Sequence, residues 1–156
     1  MTSTEPPGPT RPADPADAAL YDAVVTEHAV IYGYGFVSAH TTPDRNELVS
    51  SSLAQHRTRR EEAIAMLDVR GVTAPLPAAG YQLPIKVVTP IDAANLAVRM
   101  ENDSAVAWRA VLEQAATDET RKFALTALTA SAVTAARWGQ VLEVWPITVA
   151  FPGGTE

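Results

Sequence analysis

The sequence contains no cysteine, which excludes disulfide bonds, thiolate metal ligands and cysteine nucleophiles. No apolar run approaches the roughly 18 residues that a membrane-spanning helix needs, so we expect no membrane insertion. No glycine-rich phosphate loop, nucleophile elbow or zinc motif occurs. Basic residues are fewer than acidic ones, 12 against 18, and the formal net charge is -6. Because no basic stripe is available to neutralise phosphates, we expect no nucleic-acid partner.

The composition is typical of a folded globular chain. Hydrophobic residues make up 47% of the 156 residues and charged residues 19%, and the length suits one domain. Residues 1–14 are rich in proline and polar side chains and lack the apolar run of a signal peptide. We therefore expect a disordered N-terminal tail over residues 1–14, a folded domain over residues 15–153, and a cytoplasmic protein.

Four segments show helical periodicity, at about residues 15–40, 43–70, 90–116 and 118–140. Each begins at a side-chain oxygen that can cap a helix. In three of the four, proline follows at the first helical position, where its missing N–H costs nothing. The capping residues are Asp14, Thr42, Thr89 and Thr117. The sequence ENDS at residues 101–104 leaves open whether the third helix is continuous or breaks there.

The links between the four segments differ greatly in length. The first and third links are short, which makes helices 1 and 2, and helices 3 and 4, antiparallel neighbours. The second link, residues 71–89, has 19 residues with three prolines. An extended chain of this length reaches ~60 Å, whereas a helix of about 27 residues is ~40 Å long. The pattern predicts an all-α, ferritin-like four-helix bundle with one long crossover between helices 2 and 3.

Ionisable residues interrupt the apolar stripes of three helices near their midpoints. Helix 1 carries Glu27, with Tyr34 two turns later on the same side; helix 2 carries His56 and Arg60; helix 3 carries Glu101. At equal depth in a bundle of matched helices, such side chains fall in one layer. Because buried charges must be paired or bind a metal, we predict that they form one cluster. Its members are Glu27, Tyr34, His56, Arg60 and Glu101.

The same residues provide only part of a metal site. Di-iron sites in such bundles take one Glu from each of two helices and a Glu-x-x-His from each of the other two. Glu27 and Glu101 match the lone glutamates, but Leu53 stands three positions before His56. Helix 4 supplies neither a glutamate nor a histidine at its middle. We therefore expect no cofactor, with Arg60 satisfying the carboxylates. A single iron or manganese ion on Glu27, His56 and Glu101 is the alternative.

Gly33 and Gly35 lie in the middle of helix 1, where each costs about 1 kcal/mol relative to alanine. Gly33 shares a face with small and apolar residues, so we expect another helix to approach closely there. The bulk of Trp108 or Trp138 would fill the space. The alternative is an opening that admits a small apolar ligand to the polar cluster.

Other residues are expected outside the cluster. His28 and His40 should face solvent or lie near a helix end, and Arg57 and Arg59 should point away from the helix seam. The apolar C-terminal segment, residues 141–151, should pack back on the bundle or be buried in a partner subunit. The apolar stripe predicted for helix 4 consists of Leu125, Leu128, Ala132 and Ala135.

Four short motifs resemble those of an uncharacterised actinobacterial ferritin-like family. They are EHAVIYGYG at residues 27–35, HRTRRE at 56–61, AAGYQLP at 78–84 and FPG at 151–153. The similarity covers about residues 15–153. The resemblance implies a ferritin-like bundle without an established activity, and no catalytic residue is carried over from it.

These observations favour a bundle that does not catalyse a reaction. An ion cluster would stand where such bundles hold a metal, and the role would be that of a binding or assembly module. We expect it to form a homodimer through helix faces. One alternative is a metal-dependent oxidoreductase that uses Glu27, His56 and Glu101, with Tyr34 beside the metal. Another alternative is a carrier of a small apolar ligand with a cavity beside Gly33.

Overall fold

The computed structural model describes residues 8–154, and within them four long helices and no β-strand. The helices are α1 (Pro15–His40), α2 (Asn46–Val69), α3 (Pro90–Gln114) and α4 (Asp118–Leu142). A short 3₁₀ turn, Pro43–Arg45, precedes α2. The predicted all-α four-helix architecture is confirmed, including the long crossover between α2 and α3.

Side-chain caps fix the beginnings of three helices. The Asp14 carboxylate accepts hydrogen bonds from backbone N–H groups of the first turn of α1. Thr89 and Asp92 form a reciprocal capping box at the start of α3, and Thr117 caps α4. Thr42 makes no side-chain cap bond, so the chain passes through the 3₁₀ turn and α2 begins three residues later than predicted.

Helix α3 is continuous through residues 102–104, where the sequence alone did not decide between a continuous and a broken helix. Glu101 and Ser104 are both buried and both face the polar layer described below. Their tertiary contacts outweigh the weak helix propensity of the Asn-Asp-Ser run.

The crossover runs along α1 from one end of the bundle to the other. Near its start, Val72 and Ala74 pack against the core at the end where α1 begins. The carbonyl of Pro75 then lies 3.1 Å from Nε2 of His28, and the ring of Tyr81 packs against Tyr32. Beyond these contacts, residues 83–87 pack against the core at the opposite end. The α1–α2 hairpin is thereby joined to an α3–α4 hairpin that starts at the far end.

The buried side chains form two apolar clusters separated by a polar layer. One cluster surrounds Leu20, Leu67 and Trp108, and the other surrounds Tyr34, Leu96 and Trp138. Helix α1 packs against α2 and α3, and α3 packs against α4, whereas α2 and α4 hardly contact each other. One side of the bundle is therefore open.

The space at Gly33 is filled by a residue that differs from the prediction. A Cβ atom at position 33 would collide with the thioether sulfur of Met100 on α3, so the predicted close approach of a helix is present. Met100 fills the space, while Trp108 and Trp138 are buried elsewhere. A Cβ at Gly35 would meet no atom within 4 Å.

The face that α4 buries also differs from the prediction. Of the predicted stripe, Leu128 is buried, Leu125 is 52% exposed, and Ala132 and Ala135 are half-buried. Small and hydroxyl side chains replace them on the buried face, because α4 lies close against α3. The buried residues of α4 are Thr120, Ala124, Ala127, Leu128, Ser131, Thr134, Trp138 and Gly139.

The two ends of the chain contact the bundle to different extents. Arg11 forms a bidentate ion pair with Asp22, and the Tyr21 hydroxyl donates to the carbonyl of Pro9. The tail prediction for residues 1–7 lies outside the described residues. In the C-terminal segment, Ile147 packs on Gly139, whereas Trp145 and Phe151 are 79% and 69% exposed. Between residues 8 and 154, none of the helices is both long and apolar enough to cross a membrane.

Candidate functional site

Three ionisable side chains meet in the polar layer between the two apolar clusters. Glu27 comes from α1, His56 from α2 and Glu101 from α3, each near the middle of its helix. Their exposed fractions are 0%, 2% and 1%. Charges buried to this extent are tolerated only when they are paired and hydrogen-bonded. The three side chains differ in how many of their polar atoms have a hydrogen-bond partner.

His56 lies between the two carboxylates. Its Nδ1 is 2.6 Å from Oε2 of Glu27, and its Nε2 is 3.0 Å from Oε1 of Glu101. Both ring nitrogens face acceptors, so the imidazolium form donates both bonds. Burial lowers the pKa of His56, but the hydrogen bonds and negative charges of Glu101 and Glu27 outweigh burial and raise its pKa from 6.5 to about 9. At neutral pH His56 is a buried cation.

Glu27 accepts hydrogen bonds on both carboxylate oxygens. Besides the bond from His56, its Oε1 accepts from Nε1 of Trp108 at 2.7 Å, and from Ser104 and Arg59 at 3.3 Å each. Burial raises the pKa of Glu27, yet the hydrogen bond and charge of His56, with the charge of Arg59, outweigh burial and hold its pKa below 4.5. Glu27 is therefore the ionised centre of this network.

The buried guanidinium belongs to Arg59, which corrects the prediction for Arg60. Nη1 of Arg59 donates to Glu27 and, at 3.0 Å, to Ser131 of α4, and the residue is 7% exposed. Arg60 instead pairs with the exposed Glu61, Nε to Oε1 at 2.8 Å. One position along α2 separates a residue that faces the layer from one that faces the surface.

Tyr34 and Glu101 complete the network on the other side of His56. The Tyr34 hydroxyl donates to Oε1 of Glu101 and accepts from Nε1 of Trp138 at 3.2 Å. Burial and the adjacent Glu101 charge raise the pKa of Tyr34 well above 10, so its proton stays on the hydroxyl. Within residues 8–154, Oε2 of Glu101 has no hydrogen-bond partner although it is buried. We call the connected set the ion cluster: Glu27, Tyr34, His56, Arg59, Glu101, Ser104, Trp108, Ser131 and Trp138.

A groove lies beside the ion cluster, where α2 and α4 do not pack together. We call it the α2–α4 groove; its volume is about 620 Å³. Arg59 lies at its inner side, so this side chain belongs to both the cluster and the groove wall. The lining residues are Ala54, Gln55, Thr58, Arg59, Glu62, Glu119, Lys122, Phe123, Thr126, Ala127 and Ala130.

Comparison with known proteins supplies a family for this bundle. Residues 19–156 match a domain of unknown function, DUF4439. The chain belongs to this family. The match includes α1 from residue 19 onward, the crossover and the other three helices, and hence every side chain of the ion cluster.

A solved structure has the same fold as this DUF4439 chain. It is the crystal structure of a conserved hypothetical protein, rv2844, from Mycobacterium tuberculosis. The two chains are 60% identical, the TM-score is 0.82, and the match covers 84% of this chain and 99% of that one. No curated protein matches the sequence.

The residues of this DUF4439 chain do not fit the di-iron site of a four-helix bundle. Both nitrogens of His56 donate to carboxylates, and Leu53 and α4 supply none of the remaining glutamate and histidine ligands. The Arg59 cation lies 3.3 Å from Oε1 of Glu27 and would repel a metal ion bound to that carboxylate. Within the part of the chain that the structure describes, no three His, Asp or Glu side chains are arranged to hold a metal ion.

Sequence reasoning missed several members of this network. Ser104 and Ser131 each lie one helical turn from a buried neighbour. Trp108 and Trp138 each donate a hydrogen bond from the indole nitrogen. The apolar periodicity of a helix does not distinguish these positions from purely apolar core positions. His28 was expected to face solvent or lie near a helix end, but it is 7% exposed beneath the crossover. Burial is the main cause that lowers its pKa below 6.5.

Proposed function

We propose that the chain is a non-catalytic binding module, a ferritin-like bundle in which an ion cluster stands at the former metal position. The short–long–short order of its connections supports the ferritin-like assignment. In this proposal residues 15–153 act as one domain in the cytoplasm, and the α2–α4 groove is the binding surface.

One observation carries the proposal: the charged groups of the polar layer are paired with one another, while the bundle is open next to them. Two carboxylates, one imidazolium and one guanidinium balance each other within the cluster. Groups engaged in this way are poor candidates for metal ligation or proton transfer to a substrate. The adjoining groove, in contrast, has the volume of an ordinary ligand site, for which about 300–1,000 Å³ is usual.

The C-terminal segment supports the assembly part of the proposal. Val144, Trp145, Val149 and Phe151 are all more than half exposed. A group of exposed apolar side chains is typical of a protein–protein contact surface. We propose a homodimer formed through this segment, which sedimentation equilibrium would detect as twice the chain mass of 16.6 kDa.

A measurement of metal content tests the proposal that the bundle is non-catalytic. The untagged protein is produced with iron and manganese in the medium, purified without chelator, and measured by plasma mass spectrometry beside Glu27→Ala. We expect far less than one metal ion per chain in both proteins. About one ion per chain in the wild type, lost in Glu27→Ala, would overturn the proposal.

A metal-dependent oxidoreductase is the second candidate, and one atom favours it. Oε2 of Glu101 is buried without a partner, and Tyr34 contacts the other oxygen of the same carboxylate. An iron or manganese ion on Glu27, His56 and Glu101 would require His56 to lose its proton and leave at least one carboxylate. The same measurement separates the two candidates, because this one requires stoichiometric metal that His56→Ala reduces.

A further inference from the structure

Arg59 uses only one edge of its guanidinium within the ion cluster. Nη1 makes all of its hydrogen bonds, to Glu27, Ser104 and Ser131. Across the described residues, no group accepts a hydrogen bond from its Nε or Nη2, and neither atom is sealed from solvent. The residue is more than nine-tenths buried and lines the α2–α4 groove.

The Nε–Nη2 edge of an arginine matches acceptors that present two oxygens side by side, as carboxylates and phosphates do. Its two parallel N–H groups fit the two oxygens of a carboxylate. The same chain contains an example: Nε and Nη2 of Arg11 bind the two carboxylate oxygens of Asp22 at 2.8 and 2.7 Å. In Arg59 this edge is preorganised, because the Nη1 contacts hold the side chain in place.

The groove walls next to Arg59 are apolar, and its rim is charged. Phe123, Ala127 and Ala130 present carbon atoms from α4, and Ala54 does so from α2. An apolar body would therefore be buried next to the carboxylate.

The rim limits the charge of the ligand. Glu62 and Glu119 are exposed there with a single lysine, Lys122, so the mouth of the groove carries a small negative excess. A molecule with several negative charges would be repelled at this rim. A ligand with one carboxylate at the inner side of the groove and an apolar remainder is compatible with the apolar walls and with the negatively charged rim.

The geometry points to an apolar monocarboxylate, of the kind represented by a medium-chain fatty acid, as the ligand of the α2–α4 groove, with Arg59 binding its carboxylate. This inference rests on the proposed binding function and adds the chemical class of the ligand. Arg59 would contact the ligand through Nε and Nη2 while Nη1 stays bound to the ion cluster.

Calorimetric titration with octanoate and with 1-octanol tests the assignment. We expect octanoate to bind about tenfold or more tightly than octanol, since only the carboxylate uses both donors of the arginine edge. Arg59→Lys keeps the charge but removes the planar edge, so it should weaken octanoate binding while leaving octanol binding unchanged. Circular dichroism establishes that each variant is folded.

A second variant keeps the test valid should Arg59→Lys fail to fold. Ala130→Leu fills the groove without replacing a residue of the ion cluster and should abolish octanoate binding. Ala136→Leu is its matched control, because Ala136 is also half-buried on α4 but lines a different cavity. Octanoate binding to Ala130→Leu with wild-type affinity would overturn the inference.

A neutral fluorophore, N-phenyl-1-naphthylamine, separates failure of the ligand class from failure of the binding function. Fluorescence enhancement with the wild type, lost in Ala130→Leu, would show that the groove binds apolar molecules. Equal affinities of octanoate and octanol alongside that result would overturn the carboxylate assignment alone. Absence of binding of both the fluorophore and octanoate would overturn the assignment together with the proposed groove function.

Discussion

Glu27 holds more of the ion cluster together than any other single side chain. It accepts from His56, Arg59, Ser104 and Trp108. Glu27→Ala would leave a buried imidazolium and a buried guanidinium without their main counter-charge. We expect a loss of about 3–5 kcal/mol in the free energy of unfolding, measured by urea denaturation.

The control for this change is Glu61→Ala. Glu61 also pairs with an arginine of α2, but its side chain is 63% exposed. Removal of such a surface partner should change the free energy of unfolding by less than about 1 kcal/mol. Similar urea midpoints for the two variants would contradict the structural role given to the cluster.

At the residue scale, the sequence predicts which positions are buried, but it does not predict which of two neighbouring arginines pairs with the buried carboxylate. Glu27, Tyr34, His56 and Glu101 lie on apolar stripes, and the structure brings them together. Arg59 and Arg60 follow His56 by three and four positions, and both spacings are compatible with the same helix face. Which of the two turns inward depends on where α1 and α4 lie around α2, which one helix alone does not encode.

At the scale of a helix, Gly33 and Gly35 provide a matched pair within α1. Gly35 is exposed with no atom near its missing Cβ, so Gly35→Ala should stabilise the protein by about 0.5–1 kcal/mol through helix propensity and chain entropy. Gly33→Ala carries the same gain but forces the buried Met100 side chain to move.

Thermal unfolding of the two glycine variants measures the difference. We expect a higher midpoint for Gly35→Ala than for the wild type, and a clearly smaller gain or a decrease for Gly33→Ala. Equal increases for both variants would mean that Met100 does not restrict the space at Gly33.

Helix ends were more predictable than helix faces. Asp14, Thr89 and Thr117 begin helices where the sequence placed them, because a cap is a local interaction between a side chain and its own backbone. The predicted buried face of α4 was partly wrong. Apart from Leu128 and Trp138, that face consists of Ala, Gly, Ser and Thr, which hydrophobicity scales rank below the exposed Leu125. A stripe of small residues at helical spacing was the signal that could have revealed it.

For the whole molecule, the buried cation predicts how stability depends on alkaline pH. The pKa of His56 is about 9 in the folded chain against 6.5 unfolded, so its stabilising contribution is complete below pH 6.5 and is lost as the pH rises through about 9. A shift of this size corresponds to about 3 kcal/mol. Urea denaturation between these pH values should show stability falling by that order.

His56→Gln identifies the group responsible for the decline. Glutamine keeps a donor in the layer but cannot carry the proton, so this variant should be less stable at neutral pH and nearly flat across the same pH interval. An equally steep decline in the variant would assign the alkaline loss to other titrating groups.

The two helical hairpins contribute opposite excesses of charge to the polar layer, and this has a consequence for their alignment. The first hairpin brings Glu27, His56 and Arg59, and the second brings Glu101. A slide of one hairpin by a single helical turn, about 5.4 Å, would separate Glu101 from His56 and leave charge buried on both sides. The pairing of Glu101 with His56 therefore selects one axial alignment of the two hairpins.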